Sequence, residues 1–208
     1  NITLGKGKKL GLISCFFDPK ELNESKDLIQ KKLIDFKIDL LYWRKVPTDK
    51  EILGTLAKQS KPAIFHAVIS SDEKNDKQFE KTLYLFRKSL EREISNHKFL
   101  NIHINSCSSR TVVYKGLFTA TQASDFYWDL RNPLFKTRFG IFHQRFSTNT
   151  SSTWDKAQPL RMLAHNGEIN TITSNYSWMQ AREVDATSSF WKEEIDTIKP
   201  FIDESISD

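Results

Sequence analysis

Two short segments of this 208-residue chain carry residue types that suit chemistry on a small polar molecule. The first is His143-Gln144-Arg145-Phe146-Ser147-Thr148-Asn149-Thr150, an Arg at the end of an alternating run followed by hydroxyl and amide side chains. A guanidinium fork in that place can hold a carboxylate through two parallel hydrogen bonds. Arg145 equally suits an ion pair with an internal Asp or Glu. The second segment is His165-Asn166-Gly167-Glu168. Asn166 brings a side-chain amide donor, and Gly167 presents its backbone N–H with no side chain in the way. Such a pair suits the oxyanion of a tetrahedral intermediate, and Asn-Gly equally suits a plain turn. The only thiols are Cys15, inside the apolar run LGLISCFF, and Cys107, among serines. Neither has a neighbour in sequence that lowers a thiol pKa. No Cys/His spacing resembles a zinc site, and His143 and His165 read as structural residues at strand ends.

The elements that must position these groups alternate between strands and helices. Strands are predicted at 10–17, 38–43, 63–70 and 100–104, where Leu100, Ile102 and Ile104 alternate. Further strands are predicted at 111–114, 139–143 and 160–164. A helix over 27–36 carries Ile29, Leu33 and Phe36, and one over 77–93 carries the stripe Phe79, Leu83, Phe86 and Leu90. Thr48-Asp49-Lys50-Glu51 fits a capping box that opens a helix burying Ile52, Leu53 and Leu56. Gln122 to Leu130 reads as a helix stopped by Asn132-Pro133. Ile169, Ile172, Tyr176 and Met179 mark another helix face. Residues 146–158 read as a loop. Strands and helices mixed without regular βαβ spacing favour an α+β fold with sheets covered by helices.

Composition narrows the classes further. With 38% hydrophobic residues and 12% aromatics the chain has material for a sizeable core. No run of 18 apolar residues suggests a membrane span, the first residues lack the apolar stretch of a secretory signal, and two cysteines fit a reducing compartment. The net charge of +5 is unevenly spread. Residues 101–165 hold eight basic and three acidic side chains, and residues 166–208 hold three and nine. The dense basic clusters of a nucleic-acid binder are missing.

Taken together, HQRFSTNT at 143–150 and AQPLRMLAHNGEINT at 157–171 resemble the large subunit of the glutamate synthase family, in its class II glutamine amidotransferase domain. SSRTVVYKGL at 108–117, FYWDL at 126–130 and NYSWMQARE at 175–183 add to the match. Trp43-Arg44-Lys45-Val46-Pro47, with Gly54 and Ala57, and FEKTLYLFRKSLE at 79–91 extend it upstream. The resemblance is densest over 108–183 and marks residues 1–208 as part of one such domain. It implies a four-layer α/β/β/α sandwich of the N-terminal-nucleophile hydrolase type, truncated at its start.

The same resemblance assigns roles. Arg145 matches the Arg that binds the glutamine α-carboxylate, and Asn166 and Gly167 match the oxyanion pair. Asp208, in the closing Ile-Ser-Asp, is the candidate for the Asp that contacts the α-amino group, and as the last residue it equally suits a frayed terminus. The family's nucleophile, a Cys at the mature N-terminus, has no counterpart here, which implies that the chain alone is inactive. In place of the family's Phe-Pro, Ser151-Ser152-Thr153 precede Trp154. The activity implied is hydrolysis of glutamine to glutamate, with ammonia passed to a synthase domain of the same polypeptide for amination of 2-oxoglutarate. FMN and an iron–sulfur cluster are expected in that domain and no cofactor in this chain, with no nucleic-acid or membrane partner and a cytoplasmic or plastid location. The alternatives are a non-catalytic glutamine-binding or assembly module, or a class II amidotransferase with another acceptor domain.

Overall fold

A computed structural model describes residues 7–97, 100–146, 151–158 and 172–202. Its centre is a four-stranded antiparallel sheet in the order β2-β3-β1-β4. The strands are β1 (Lys9–Phe17), β2 (Asp39–Lys45), β3 (Ala63–Ser71) and β4 (Ile102–Ser108). β1 lies between β3 and β4, with Ile13 opposite Ala67 and Cys107, so both of its edges are paired, and other segments cover both of its faces, Ile13, Cys15 and Phe17 on one side and Phe16 on the other. That is why LGLISCFF is apolar almost throughout. A register shift between Ser14 and Cys15 against β4 marks a bulge.

Two helices pack on one face, α1 (Leu22–Asp35) and α3 (Asp76–Asn96). Asp18 accepts a hydrogen bond from the Lys20 amide at 2.8 Å, and Pro19 pre-sets the turn that leads into α1. Asn75 caps α3 by accepting from the Lys77 and Gln78 amides at 2.9 and 3.3 Å. Ile29 and Leu33 of α1, and Phe79, Leu83, Phe86 and Leu90 of α3, are buried against Ile13, Cys15, Phe17, Ala67 and Ile69. Each fully buried large apolar side chain contributes roughly 1.5–3 kcal/mol, so this face is the chief source of stability in the described fold. A third cluster joins Leu85 of α3 to Ile195 and Ile198 of the short helix α6 (Ile195–Ile198). Arg92 reinforces it by donating to the Thr197 and Lys199 carbonyls at 3.0 and 2.7 Å.

Irregular segments cover the other face. Phe16 and Ile64 of the sheet meet Val46, Leu53, Phe126, Tyr127 and Trp154. The α+β class is therefore borne out, with the described residues supplying one sheet and one helical layer.

Local expectations fared unevenly. The predicted strands at 10–17, 38–43 and 63–70 and the helices at 27–36 and 77–93 form within a few residues of their predicted ends. The helix expected from Thr48 does not start there. Thr48 bridges Tyr127 and the Asp49 amide donates to the Phe126 carbonyl at 2.9 Å, which holds this stretch extended. The helix α2 (Thr55–Gln59) begins after Gly54, and Leu56, expected to be buried, is 81% exposed. The strand expected at 111–114 is a loop. Its Thr111 and Val113 amides donate to the Ser108 and Ser106 hydroxyls, each at 3.2 Å, and so are not available to a ladder. The helix expected at 122–130 is broken into α4 (Ala123–Phe126) and a 3-10 turn, Trp128–Arg131, because Tyr127 is extended to pair with Thr48. Residues 139–143 pair with no strand among the described residues. The predicted strand at 160–164 lies outside them. The helix marked by Ile172, Tyr176 and Met179 forms as α5 (Ile172–Val184), with Tyr176 half-buried and Met179 exposed.

Candidate functional site

Arg145 stands on an irregular, largely exposed stretch, 133–146. Its backbone N–H donates to His143 Nδ1 at 3.1 Å. Its guanidinium makes no ion pair with a described carboxylate, so the internal-pair reading finds no support among the described residues. Asn166, Gly167 and Asp208 lie outside the described residues, as do 147–150. Their convergence on Arg145 is therefore a matter for proposal.

On the face of the sheet opposite α1 and α3, a wall of packed side chains is built around Trp154, nine residues after Arg145 in sequence. Trp154 is only 5% exposed. Its indole N–H donates to the Ala57 carbonyl in α2 at 3.3 Å, and its ring meets Phe16 edge-on at 5.8 Å. Gly116 is required beneath it, because a Cβ there would sit 2.5 Å from Trp154 Cζ3 and 2.6 Å from Phe118 Cε1. The neighbouring Lys115 is 2% exposed. Its Nζ lies 2.8 Å from His103 Nε2 and donates to the Asp155 carbonyl at 2.5 Å. Burial pulls the Lys115 amine down to about 7, the nearby Asp155 carboxylate opposes that, and Arg87 adds to it. Tyr127, buried alongside, donates its hydroxyl to the Lys115 carbonyl at 2.7 Å. Ser151, Ser152 and Thr153 are exposed outside this anchor.

A second polar group binds the remaining motifs together. Arg44 donates two hydrogen bonds to Asp129, at 2.7 and 2.5 Å, and Tyr114 donates to the same carboxylate at 2.8 Å. The Tyr114 ring packs edge-on against His66 of β3, with centroids 5.7 Å apart. Hydrogen bonding from Arg44 lowers the Asp129 pKa against the cost of burial. Burial, helped by Arg44, lowers His66 to about 4. The WRKVP, VVYKGL and FYWDL segments are thus one structural unit rather than three separate sites.

Both thiols sit in the sheet. Burial drives the Cys15 thiol far above its ordinary range and pushes Cys107 up to about 12. The Cys107 Sγ donates weakly to the Leu83 carbonyl at 3.6 Å. Raised thiols of this kind lack the thiolate form that a nucleophile needs. No group of three or more His, Cys, Asp or Glu side chains suited to a metal occurs among the described residues. Two strand thiols, one buried and one half-buried, do not fit an iron–sulfur cluster, which takes about four thiolate ligands.

Sequence reasoning treated Arg44, Tyr114, Lys115 and Asp129 only as parts of motifs, and it missed His103. One signal was available for Lys115, the only charged residue between Arg110 and Asp125. A lone cation in an otherwise uncharged stretch suggests burial with partners.

Fold and wall together define an α+β domain whose polar motifs are gathered on the face of the sheet opposite α1 and α3. Across residues 1–208 the chain matches the class II glutamine amidotransferases, and it belongs to that family. It is 39% identical over 203 residues to the chloroplastic ferredoxin-dependent glutamate synthase of Oryza sativa, covering 96% of this chain and 12% of that protein. It is 40% identical over 212 residues to the NADH glutamate synthase of Saccharomyces cerevisiae, covering 96% and 10%. Against the large chain of the NADPH glutamate synthase of Azospirillum brasilense it is 37% identical over 182 residues, covering 87% and 12%. The chain thus spans only a small part of the length of these relatives.

Proposed function

We propose that this chain is the glutamine-handling domain of a glutamate synthase and that Arg145 holds the α-carboxylate of glutamine. The observation that carries this reading is an exposed guanidinium without a described ion-pair partner, in a segment that belongs to the family resemblance. Arg145 would form two charge-assisted hydrogen bonds with the carboxylate. Asp208 would take the α-ammonium, which fixes the amino acid at both charged ends. Asn166 and Gly167 would face the side-chain amide and stabilise the oxyanion formed when it is attacked.

Neither Cys15 nor Cys107 suits the attack, so the isolated chain binds glutamine without hydrolysing it. In the complete enzyme hydrolysis yields glutamate and ammonia. Ammonia then reaches a synthase domain of the same polypeptide, which adds it to 2-oxoglutarate. FMN and an iron–sulfur cluster belong to that domain. No described helix is long and apolar enough to cross a membrane, and the proposed location is the cytoplasm or a plastid.

The test is calorimetric titration of the chain with L-glutamine, and with glutaramide, which lacks both charged ends. L-Glutamine should bind, glutaramide should not, and Arg145→Ala should weaken binding ~10- to 100-fold, as expected for loss of a charged hydrogen-bonded pair. Equal affinity in the wild type and in Arg145→Ala would remove Arg145 from the site.

A further inference from the structure

The chain runs back to α5 after leaving it. Glu183, in the last turn of α5 and within the NYSWMQARE motif, accepts a hydrogen bond from the Phe201 amide at 2.6 Å. A carboxylate on a backbone N–H at that distance makes a charge-assisted bond. The chain between these two residues is seated on the face of α3 opposite Phe79, Leu83, Phe86 and Leu90. Lys81, Leu85, Lys88 and Arg92 follow one another at helical spacing along that face. Lys81 donates to the Phe190 carbonyl at 2.9 Å and pairs with Glu194, and Lys88 donates to the Pro200 carbonyl at 3.1 Å. Arg92 takes the Thr197 and Lys199 carbonyls. Leu85 packs with Ile195 and Ile198, and Tyr84 meets Trp191 with ring centroids 5.4 Å apart. Cations on one helix face thus hold the backbone between Phe190 and Pro200, and Glu183 ties the end of that strap to α5.

We propose that Glu183 is a positioning residue for glutamine: it fixes where the chain leading to Asp208 starts relative to α5, so that Asp208 returns to the Asn166–Gly167 pair. This rests on the roles proposed for those three residues. Two lengths support it. From Glu183 back to Ile172, α5 is about 17 Å long at ~1.5 Å per residue. The seven residues after Phe201 reach about 25 Å at most, at ~3.6 Å each. A chain that starts at Phe201 and runs back beside α5 therefore reaches the end of the helix that Asn166 and Gly167 precede in sequence. The excess is only about 8 Å, so the placement of Phe201 decides whether Asp208 arrives. Glu183 acts through Phe201 rather than on the ligand.

The experiment is calorimetric titration of the full chain with L-glutamine in a double-mutant cycle of Glu183→Ala and Asp208→Asn. Glu183→Ala should weaken binding ~10-fold, the size expected when a charged contact loses its register. Glu183→Gln, whose amide oxygen still accepts from the Phe201 amide, should stay within about twofold of the wild type. In the Asp208→Asn background Glu183→Ala should cause no further loss, because the contact it aligns is already gone. A loss of the same size in both backgrounds makes Glu183 merely structural and overturns the proposal, and so does unchanged affinity in Glu183→Ala. Arg92→Met removes the donor to the Thr197 and Lys199 carbonyls at an exposed position. It should repeat the Glu183→Ala pattern, and it decides the matter if that variant does not fold. A wild type that does not bind L-glutamine overturns the reading of Arg145 and this role with it. Binding that Arg145→Ala weakens and Glu183→Ala does not overturns this role alone.

Discussion

At the scale of single residues, environment rather than identity separates the reactive from the inert. Cys107 stands in β4 with its thiol pushed up to about 12 by burial, and Cys15 lies deeper still. At pH 7 the thiolate fraction of Cys107 is roughly a thousandfold lower than that of a free cysteine. Iodoacetamide should therefore leave both thiols of the native chain unmodified over an hour and label both once the chain is unfolded in guanidinium. Rapid native labelling of Cys107, slowed by glutamine, would return it to the list of nucleophile candidates. Arg145 is the opposite case, a charged fork left open to solvent. Its role as a carboxylate clamp, like the roles of Asn166, Gly167 and Asp208, stands as a proposal.

At the scale of elements, what could be read in the sequence depended on whether a segment's partners were local. LGLISCFF and the Phe79 stripe announced themselves, because a strand covered on both faces and a helix with one wet face leave periodic traces. Thr48-Asp49-Lys50-Glu51 had every local feature of a helix start, yet Thr48 and Asp49 are held by partners nearly eighty positions later, and Lys50 to Leu53 form only a turn. Residues 111–114 failed as a strand for a similar reason, since serine hydroxyls of β4 claim their amides. The wall of the site was legible only as motifs. That Lys115, Gly116 and Trp154 meet follows from tertiary packing, which no spacing rule encodes. Gly116 tests this packing directly. Gly116→Ala should cost about 1–3 kcal/mol, the usual penalty for forcing a methyl group into a filled core. Urea denaturation would give that value, and a loss under 0.5 kcal/mol would mean that Trp154 yields easily (~0.5 being typical of surface changes).

At the scale of the whole molecule, acid should act through His66. This ring is 3% exposed and its pKa falls from the ordinary 6.5 to about 4 in the fold. In the unfolded chain His66 takes up a proton once the pH drops below about 6.5, while the folded chain refuses it until about pH 4. Stability is therefore lost progressively across that window as pH falls, by on the order of 3 kcal/mol if the whole difference is expressed. His66→Phe keeps an aromatic ring against Tyr114 and has no proton to gain. Its denaturation midpoint should change less between pH 7 and pH 4.5 than that of the wild type, and parallel profiles would assign acid sensitivity to other groups. Asp129 adds to the lower end of this loss. Arg44 holds its carboxylate ionised, and that contribution vanishes as pH falls through its lowered pKa.

The strand order has a consequence for synthesis. Among the described strands β1 leaves the ribosome before the others, yet its neighbours are the third and fourth of them. Until β3 has emerged, one of the most apolar segments of the chain has two open edges, and until β4 has emerged it keeps one. Exposed edges of this kind recruit other chains, and pairing that waits on distant segments is slow. Nascent chains in which β1 has emerged but β3 has not should therefore be the ones that chaperones hold longest.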